Sequence, residues 1–347
     1  MRILAAITVL AGLAAAPTQA EANRTVIDMA GRTVTIPANP QRISCFEVLC
    51  YEKFFLLRGT DRLVEAMRTD PPWLPVIAPS FAGMQQVEGT PNREELLAQN
   101  IDLILLRSAH LSAVGKIGVP AVVTQPPLEL QYPDAAAFIE TQKKMVRLMG
   151  EIIGGDGDRR AGDWCAYYDA HIAAIADRVR DVPPERRPRV YYVRGPAAVN
   201  TQGPNSDTYW YGTIAGARMI VDGLKLNGQG PMSLEEILRL DPDYVFVGRQ
   251  YSPDLILNDP AWRNVSAVRN HRVIALPSGL FYWDGGIEGV LLADFIAKTL
   301  YLDRFADLDL GQAVQDFYGR FYGFAFTPDQ LAKFLAGLTP DGVRRGY

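Results

Sequence analysis

The stretch "DGDRRAGDWCAYYDAHIAAIADRVRD", residues 156–181, decides how the rest of the chain is read. Gly154-Gly155 breaks the chain before it, and Pro183-Pro184 stops it afterwards. Within it Ala161, Trp164, Cys165, Tyr168, Ile172, Ile175 and Val179 recur at spacings of three and four, which is one apolar stripe on a helix. Arg159, Asp163, Asp169, Asp177 and Arg180 fall largely elsewhere. Some 25 residues at about 1.5 Å each make a rod of roughly 35–40 Å, long enough to cross a domain. The rod lies mid-chain, between two halves each large enough to bury its own core. The expectation is a spine joining two lobes, with residues 23–155 in the first, 156–182 in the bridging helix and 183–347 in the second.

Working outward, the 48% hydrophobic and 21% charged content describes an ordinary globular protein. A net charge of −4, with no Lys/Arg run, offers nothing to a phosphate backbone and sets nucleic-acid binding aside. Residues 1–22 differ from the rest. A minimal basic start and a run of apolar and small residues lead to Ala20-Glu21-Ala22, an A-x-A-like cleavage site. They read as a secretory signal peptide, with cleavage after Ala20 as the near alternative. No cysteine marks the junction, so the mature protein is expected to be soluble, exported and without a lipid anchor. Export permits disulfides, but of Cys45, Cys50 and Cys165 only the first two are placed to pair, and three buried thiols is the preferred reading.

The remaining pattern alternates strands and helices, which argues for α/β lobes with mostly parallel sheets. Residues 25–37 read as a hairpin. Strands are expected over 41–45, 63–67, 101–106 and 119–124, then over 189–193, 244–247 and 273–276. Helices are expected over 47–58, 133–153, 211–221, 234–240, 288–302 and 328–338, and a Pro-rich loop over 68–79. No G-x-G-x-x-G opens a helix after a strand, which argues against a hydride-transfer enzyme.

One motif occurs twice. Residues 92–106 read "NREELLAQNIDLILL" and residues 233–247 read "SLEEILRLDPDYVFV", a constant offset of 141. Asn92 and Ser233 suit a helix N-cap, and Glu95 and Glu236 stand where a capping box places its acid. Glu94 and Glu235 have no such local task and are left to point outward, one from each half.

These segments together resemble the substrate-binding proteins of the ferric-siderophore, haem and cobalamin importers, the helical-backbone class of periplasmic binding proteins. The resemblance covers nearly all of the mature chain. It rests on "TVIDMAGRTVTIPANPQRISC", "TPNREELLAQNIDLILL", "PMSLEEILRLDPDYVFV", the single spine helix and the late "RVIALPSG…YWDGG". It implies two lobes bridged by one long helix and a ligand in the cleft between them; a lone helix is a stiffer bridge than a pair of extended strands, so limited closure on binding is expected. It also implies that Glu94 and Glu235 dock onto arginines of a dimeric ABC permease in the inner membrane. A monomer is expected, with no enzymatic activity and no resident cofactor.

Ligands of open α/β sheets sit beyond the carboxyl ends of the strands. The loops there carry Cys45, Phe46 and Glu47; Arg68 and Trp73; Arg107, Ser108 and His110; Arg194; Arg249, Gln250 and Tyr251; and Phe281 to Asp284. The Thr208–Tyr211 cluster begins a crossover in the second half. Ligand contacts are expected from Arg107, His110, Arg194, Tyr209, Trp210, Tyr211, Arg249, Tyr251, Tyr282 and Trp283. For the arginines an ordinary ion pair stays open, as does lobe core for Trp210 and Trp283.

With three histidines in all, and only His110 in such a loop, a histidine-rich site for a bare transition metal is not expected. Arginines and rings suit a bulky anion. A metal chelate is therefore preferred: a ferric siderophore first, with haem or a corrinoid after it. A small oxoanion such as molybdate or tungstate is the alternative on the same fold, and an exported sensor or scaffold is the different class. Glu47 and Asp284 are lone carboxylates in unrelated loops, and no G-x-S-x-G appears, so nothing points to a hydrolase.

Overall fold

A computed structural model describes residues 22–345 of the chain except 116 and 227, so the expected leader, apart from its last residue, lies outside the described residues. The hairpin forms as an antiparallel pair, β1 (Arg24–Ile27) with β2 (Thr33–Ile36). It turns through Gly31, whose φ of 75° suits glycine. The Arg32 fork closes on the buried Asp28 carboxylate at 2.6 and 2.8 Å and holds the turn.

The first lobe is built on a five-stranded parallel sheet of β3 (Ile43–Phe46), β4 (Leu63–Met67), β5 (Gln85–Val87), β6 (Leu103–Leu106) and β7 (Ala121–Val123). Its strand order is β5-β4-β3-β6-β7. Both β3 and β6 are buried along their whole length, which is why they read as near-continuous apolar runs. The strands are linked by α1 (Cys50–Leu57), α2 (Leu74–Ile77), α3 (Arg93–Ala98) and α4 (Leu111–Val114), and α5 (Ala135–Ile153) follows the sheet.

The spine is α6 (Asp156–Val179). All seven residues of its apolar stripe are buried. It folds back against α5 through Gly154 and Gly155, both at positive φ. The two helices cross so closely that a Cβ on Gly150 would come within 2.7 Å of the Ala161 methyl. Trp164 and Tyr168 stack with ring centroids 4.8 Å apart. Arg160 adds a contact that the stripe does not announce: its guanidinium donates to the carbonyls of Leu56 at 2.8 Å and Phe321 at 2.9 Å.

Beyond α6 the chain forms β8 (Arg189–Val193), β9 (Asn200–Gln202), α7 (Asp207–Ile214), β10 (Arg218–Met219), β11 (Gln229–Pro231), α8 (Leu234–Leu240) and β12 (Tyr244–Val247). Then come α9 (Asp254–Leu257), α10 (Ser266–Arg269), β13 (Val273–Ala275), α11 (Gly289–Leu300), α12 (Leu310–Tyr322) and α13 (Pro328–Leu335). The second lobe's sheet is parallel, ordered β10-β8-β12-β13, while β9 and β11 make a separate antiparallel pair. The fold is thus two α/β lobes with parallel central sheets joined by one long helix.

Several local expectations are corrected. The helix expected over 211–221 is instead α7, capped by Ser206, which accepts from the Tyr209 N–H. It ends before Gly216 at φ 82°, and residues 218–219 pair with β8. Part of the 68–79 loop is α2. Cys45 and Cys50 are joined in a disulfide with their Cα atoms 6.1 Å apart, so two of the three expected thiols are not free. Cys45 stands near the end of β3 and Cys50 opens α1, and the intervening turn folds one back onto the other. Cys165 is the free, buried thiol. The N-caps form, with Asn92 accepting from the Glu94 N–H and Ser233 from the Glu236 N–H. Among the described residues the reciprocal half of the box is not made at either site, and Glu236 accepts from Arg239 instead; a full capping box forms at Thr327 and Gln330.

The last helices reach back onto the first lobe. Trp73, wholly buried, donates its Nε1–H to the Leu338 carbonyl at 2.8 Å and packs its ring against Phe326 and Phe334. Elsewhere along the seam Tyr51 Oη donates to the Leu280 carbonyl at 2.6 Å. On another stretch of it, Asn205 accepts from the Tyr132 N–H and donates to the Leu130 carbonyl.

Candidate functional site

Parallel register brings the site together. Val193 at the end of β8 pairs with Val247 at the end of β12, so Arg194 and Arg249 leave the sheet side by side. Arg249 and Gln250 take the left-handed conformation, with φ near 60°. Gly248 before them is required, since a Cβ there would sit 2.3 Å from Tyr192 Oη. From the next connection, after β13, Asp284 is delivered beneath both arginines.

Arg194 Nε lies 3.2 Å from Asp284 Oδ2, and Arg249 reaches it with Nε at 3.0 Å and Nη2 at 2.9 Å from Oδ1. Burial alone would push the Asp284 carboxyl up, but Arg249 and Arg194 hold it below the ordinary carboxylate range. Arg249 also lies over the Tyr282 ring, 4.1 Å from its centroid. Nearby, burial and then the Asp284 charge push the Asp207 carboxyl up to about 6, against the pull of Arg194, Arg107 and Lys53.

Above this pair opens a cavity of about 450 Å³. Its walls are Arg194, Gly195, Pro196 and Asn200, then Gln229, Gly230, Arg249, Tyr251 and Tyr282, with Asp70 and Arg345. Most of this lining comes from the second lobe; Asp70 comes from the first, and Arg345 from the segment after α13. Three guanidinium groups against the carboxylates of Asp284 and Asp70 leave a surplus positive charge. An anion is what such a site would hold.

Of the residues expected at the ligand, Arg194, Arg249, Tyr251 and Tyr282 stand on this cavity. The others stand elsewhere. Tyr211 is buried against the spine, its Oη 3.3 Å from Tyr168 Oη. Trp283 is buried with its Nε1–H directed at Tyr318 Oη at 3.4 Å. Trp210 stacks on Phe138 of α5, donating to Asn205 at 3.2 Å, and so seals the seam between the lobes. Tyr209 Oη donates to Asp222.

Arg107 is half-buried, and its charge is among those that oppose the rise of the Asp207 carboxyl. His110 is half-buried too, with a buried Nδ1 that meets no hydrogen-bond partner among the described residues. The spine histidine, His171, sits 2.8 Å from the Asp294 carboxylate. Among the described residues no three or more His, Cys, Asp or Glu side chains gather as metal ligands.

Nothing in the sequence marks Asn200, Gln229 and Gly230, because three-residue strands leave no periodicity to read. Asp70 is two residues past Arg68, in the Pro-rich loop that follows β4. Arg345 follows the last helix, not a strand, and nothing in its neighbourhood singles it out. Glu94 and Glu235 are both exposed in the first turns of α3 and α8.

Two parallel-sheet lobes, one bridging helix and a charged cavity where the lobes meet define a solute-binding protein. Residues 89–280, more than half of the chain, match the family model described as Periplasmic binding protein, and the chain belongs to that family. It is a periplasmic binding protein of an ABC importer, the component that hands a small ligand to a membrane permease.

The chain is 25% identical to the molybdate-binding protein MolA of Haemophilus influenzae over 346 residues, covering 90% of this chain and 94% of that one. The structure of MolA bound to molybdate superposes with a TM-score of 0.78 at 24% identity, over 88% of this chain and 100% of that one. A periplasmic solute binding protein of Veillonella parvula gives a TM-score of 0.77 at 21% identity, over 92% and 99% of the two chains. CeuE of Helicobacter pylori with Ni(II) bound gives 0.67 at 18% identity, over 90% and 99%. Among the described residues no helix is long and apolar enough to cross a membrane.

Proposed function

We propose that this binding protein captures a compact anion, with an oxoanion of the molybdate and tungstate type as the best match. The observation that carries this reading is the convergence of Arg194, Arg249 and Arg345 on one polar cavity. Guanidinium forks match ligand oxygens carrying formal charge. The rings that would grip a broad flat ligand are committed elsewhere: Tyr211 and Trp283 in the core, Trp210 in the seam. The similarity to a molybdate-binding protein points the same way.

A second reading, a compact anionic metal chelate such as a small ferric siderophore, is favoured by the cavity's size. About 450 Å³ is the space of roughly fifteen waters at about 30 Å³ each, more than one tetrahedral oxoanion fills. Haem and corrinoids fit less well, because Tyr251 and Tyr282 are the aromatic lining and Arg249 already covers the Tyr282 face.

The delivery step falls to Glu94 and Glu235, exposed one on each lobe, as contacts to the two permease copies. The protein works in the periplasm, reached through the leader in residues 1–22. Titration of intrinsic tryptophan fluorescence with molybdate, tungstate, sulfate, ferric chelates, haem and a corrinoid tests the reading. Saturable binding of molybdate or tungstate is expected. Binding of haem or the corrinoid alone would overturn it.

A further inference from the structure

Arg345 enters the cavity from a direction that no strand supplies. Its backbone N–H donates to the Gln250 carbonyl at 2.9 Å, and the residue pairs with Tyr251 in a parallel bridge. That anchor suspends the side chain over the cavity, with its guanidinium carbon 5.9 Å from the Tyr282 ring centroid. The guanidinium contacts the Tyr282 hydroxyl and the Asp70 carboxylate. Tyr282 Oη also donates to Asp70 Oδ1 at 3.3 Å.

The three cavity arginines therefore have two kinds of partner. Arg194 and Arg249 share Asp284, whose side chain is 1% exposed and locked below them. Arg345 is paired with Asp70, whose side chain is 70% exposed and belongs to a loop of the other lobe. An ion pair open to water is weak and readily exchanged, whereas a buried one is not.

We propose that Arg345 is a ligand-binding residue and that Asp70 is the counter-ion that an oxygen of the anionic ligand displaces when it binds. The inference rests on the anionic reading above. It makes the Asp70 carboxylate a built-in competitor of the ligand, so a weakly charged solute that cannot replace it is excluded.

The test is calorimetric titration of the mature protein with molybdate and, in parallel, with a ferric tris-catecholate chelate, at low salt. With whichever probe the wild type takes up, Arg345→Gln weakens binding about tenfold. Arg345→Lys, which keeps the charge and loses the fork, falls between the two. Asp70→Asn tightens binding about threefold, and the same change in the Arg345→Gln background does nothing, because its effect runs through Arg345.

If Arg194→Ala weakens binding while Arg345→Gln leaves it unchanged, the inference falls and the anionic reading stands. Weaker binding by Asp70→Asn overturns the counter-ion role. A wild type that takes up neither probe overturns the anionic reading and this inference together.

Discussion

The Glu52 carboxylate, on α1 of the first lobe, accepts the backbone N–H of Ile287 in the second at 3.2 Å. Glu288, the next residue along, is also buried and accepts the N–H groups of Leu280 and Phe281 at 3.0 and 3.2 Å. Burial pushes the Glu52 carboxyl up to about 8, with Lys53 opposing, and burial pushes Glu288 up to about 7. Between the ordinary glutamate range and these values the folded protein holds protons that the unfolded chain has released. The stability they contribute is full below about pH 4.5 and lost as the pH rises through 7 and 8. Urea melts from pH 5 to 8 should show stability falling, by at most about 1.4 kcal/mol per pH unit for each group. Glu52→Gln should flatten that slope; an unaltered slope would remove Glu52 from the account.

Asp284 carries the opposite sign. Its carboxyl is held low by Arg249 and Arg194 despite burial, so its contribution is present above the ordinary aspartate range and is lost in acid. Asp284→Asn leaves two guanidinium groups without their buried counter-charge, a loss of about 3–5 kcal/mol. Added molybdate or sulfate should restore more stability to this variant than to the wild type. Thermal melts with and without the anion decide it, and equal shifts would separate the arginine pair from anion binding.

Glu94 and Glu235 lie 141 residues apart in sequence and occupy matching first-turn positions in α3 and α8. Both are exposed, and neither lines the cavity. Replacing either by alanine should leave ligand affinity as it is and slow uptake into vesicles carrying the cognate permease. Affinity lost together with uptake would show that these glutamates act on the ligand and not on the permease.

The Cys45–Cys50 bond closes a loop with a sequence separation of 5. Loops this short yield about 2 kcal/mol by restricting the unfolded chain. Reduction, or Cys45→Ala with Cys50→Ala, should lower the urea midpoint accordingly while leaving the fold intact. Because β3 and α1 lead into both the first sheet and the Glu52 contact, circular dichroism in the same samples distinguishes loosening from unfolding.

What the sequence reveals best is what repeats locally. The α6 stripe, with Ala161, Trp164, Tyr168 and Ile172 all buried, follows from spacing alone, and so do the near-continuous apolar strands β6 and β12. Arg194 and Arg249 are legible because they stand one and two residues past the ends of β8 and β12, where the loops beyond a parallel sheet must begin. Side-chain type by itself does not say what a ring or a charge will meet. Trp210, Tyr211 and Trp283 have the chemistry of a ligand cradle, yet Trp210 stacks on Phe138, the Tyr211 hydroxyl meets that of Tyr168, and Trp283 packs edge-on with Phe334. Asn200, Gln229 and Arg345 depend on β9–β11 pairing and on the path of the final segment, both long-range events without a local signature.

Arg160 has a mechanical consequence. Its single guanidinium ties the carbonyl end of α1 to that of α12 while its own backbone belongs to α6. Three helices are thus pinned together by one side chain that is not part of the cavity lining, so its loss loosens all three at once.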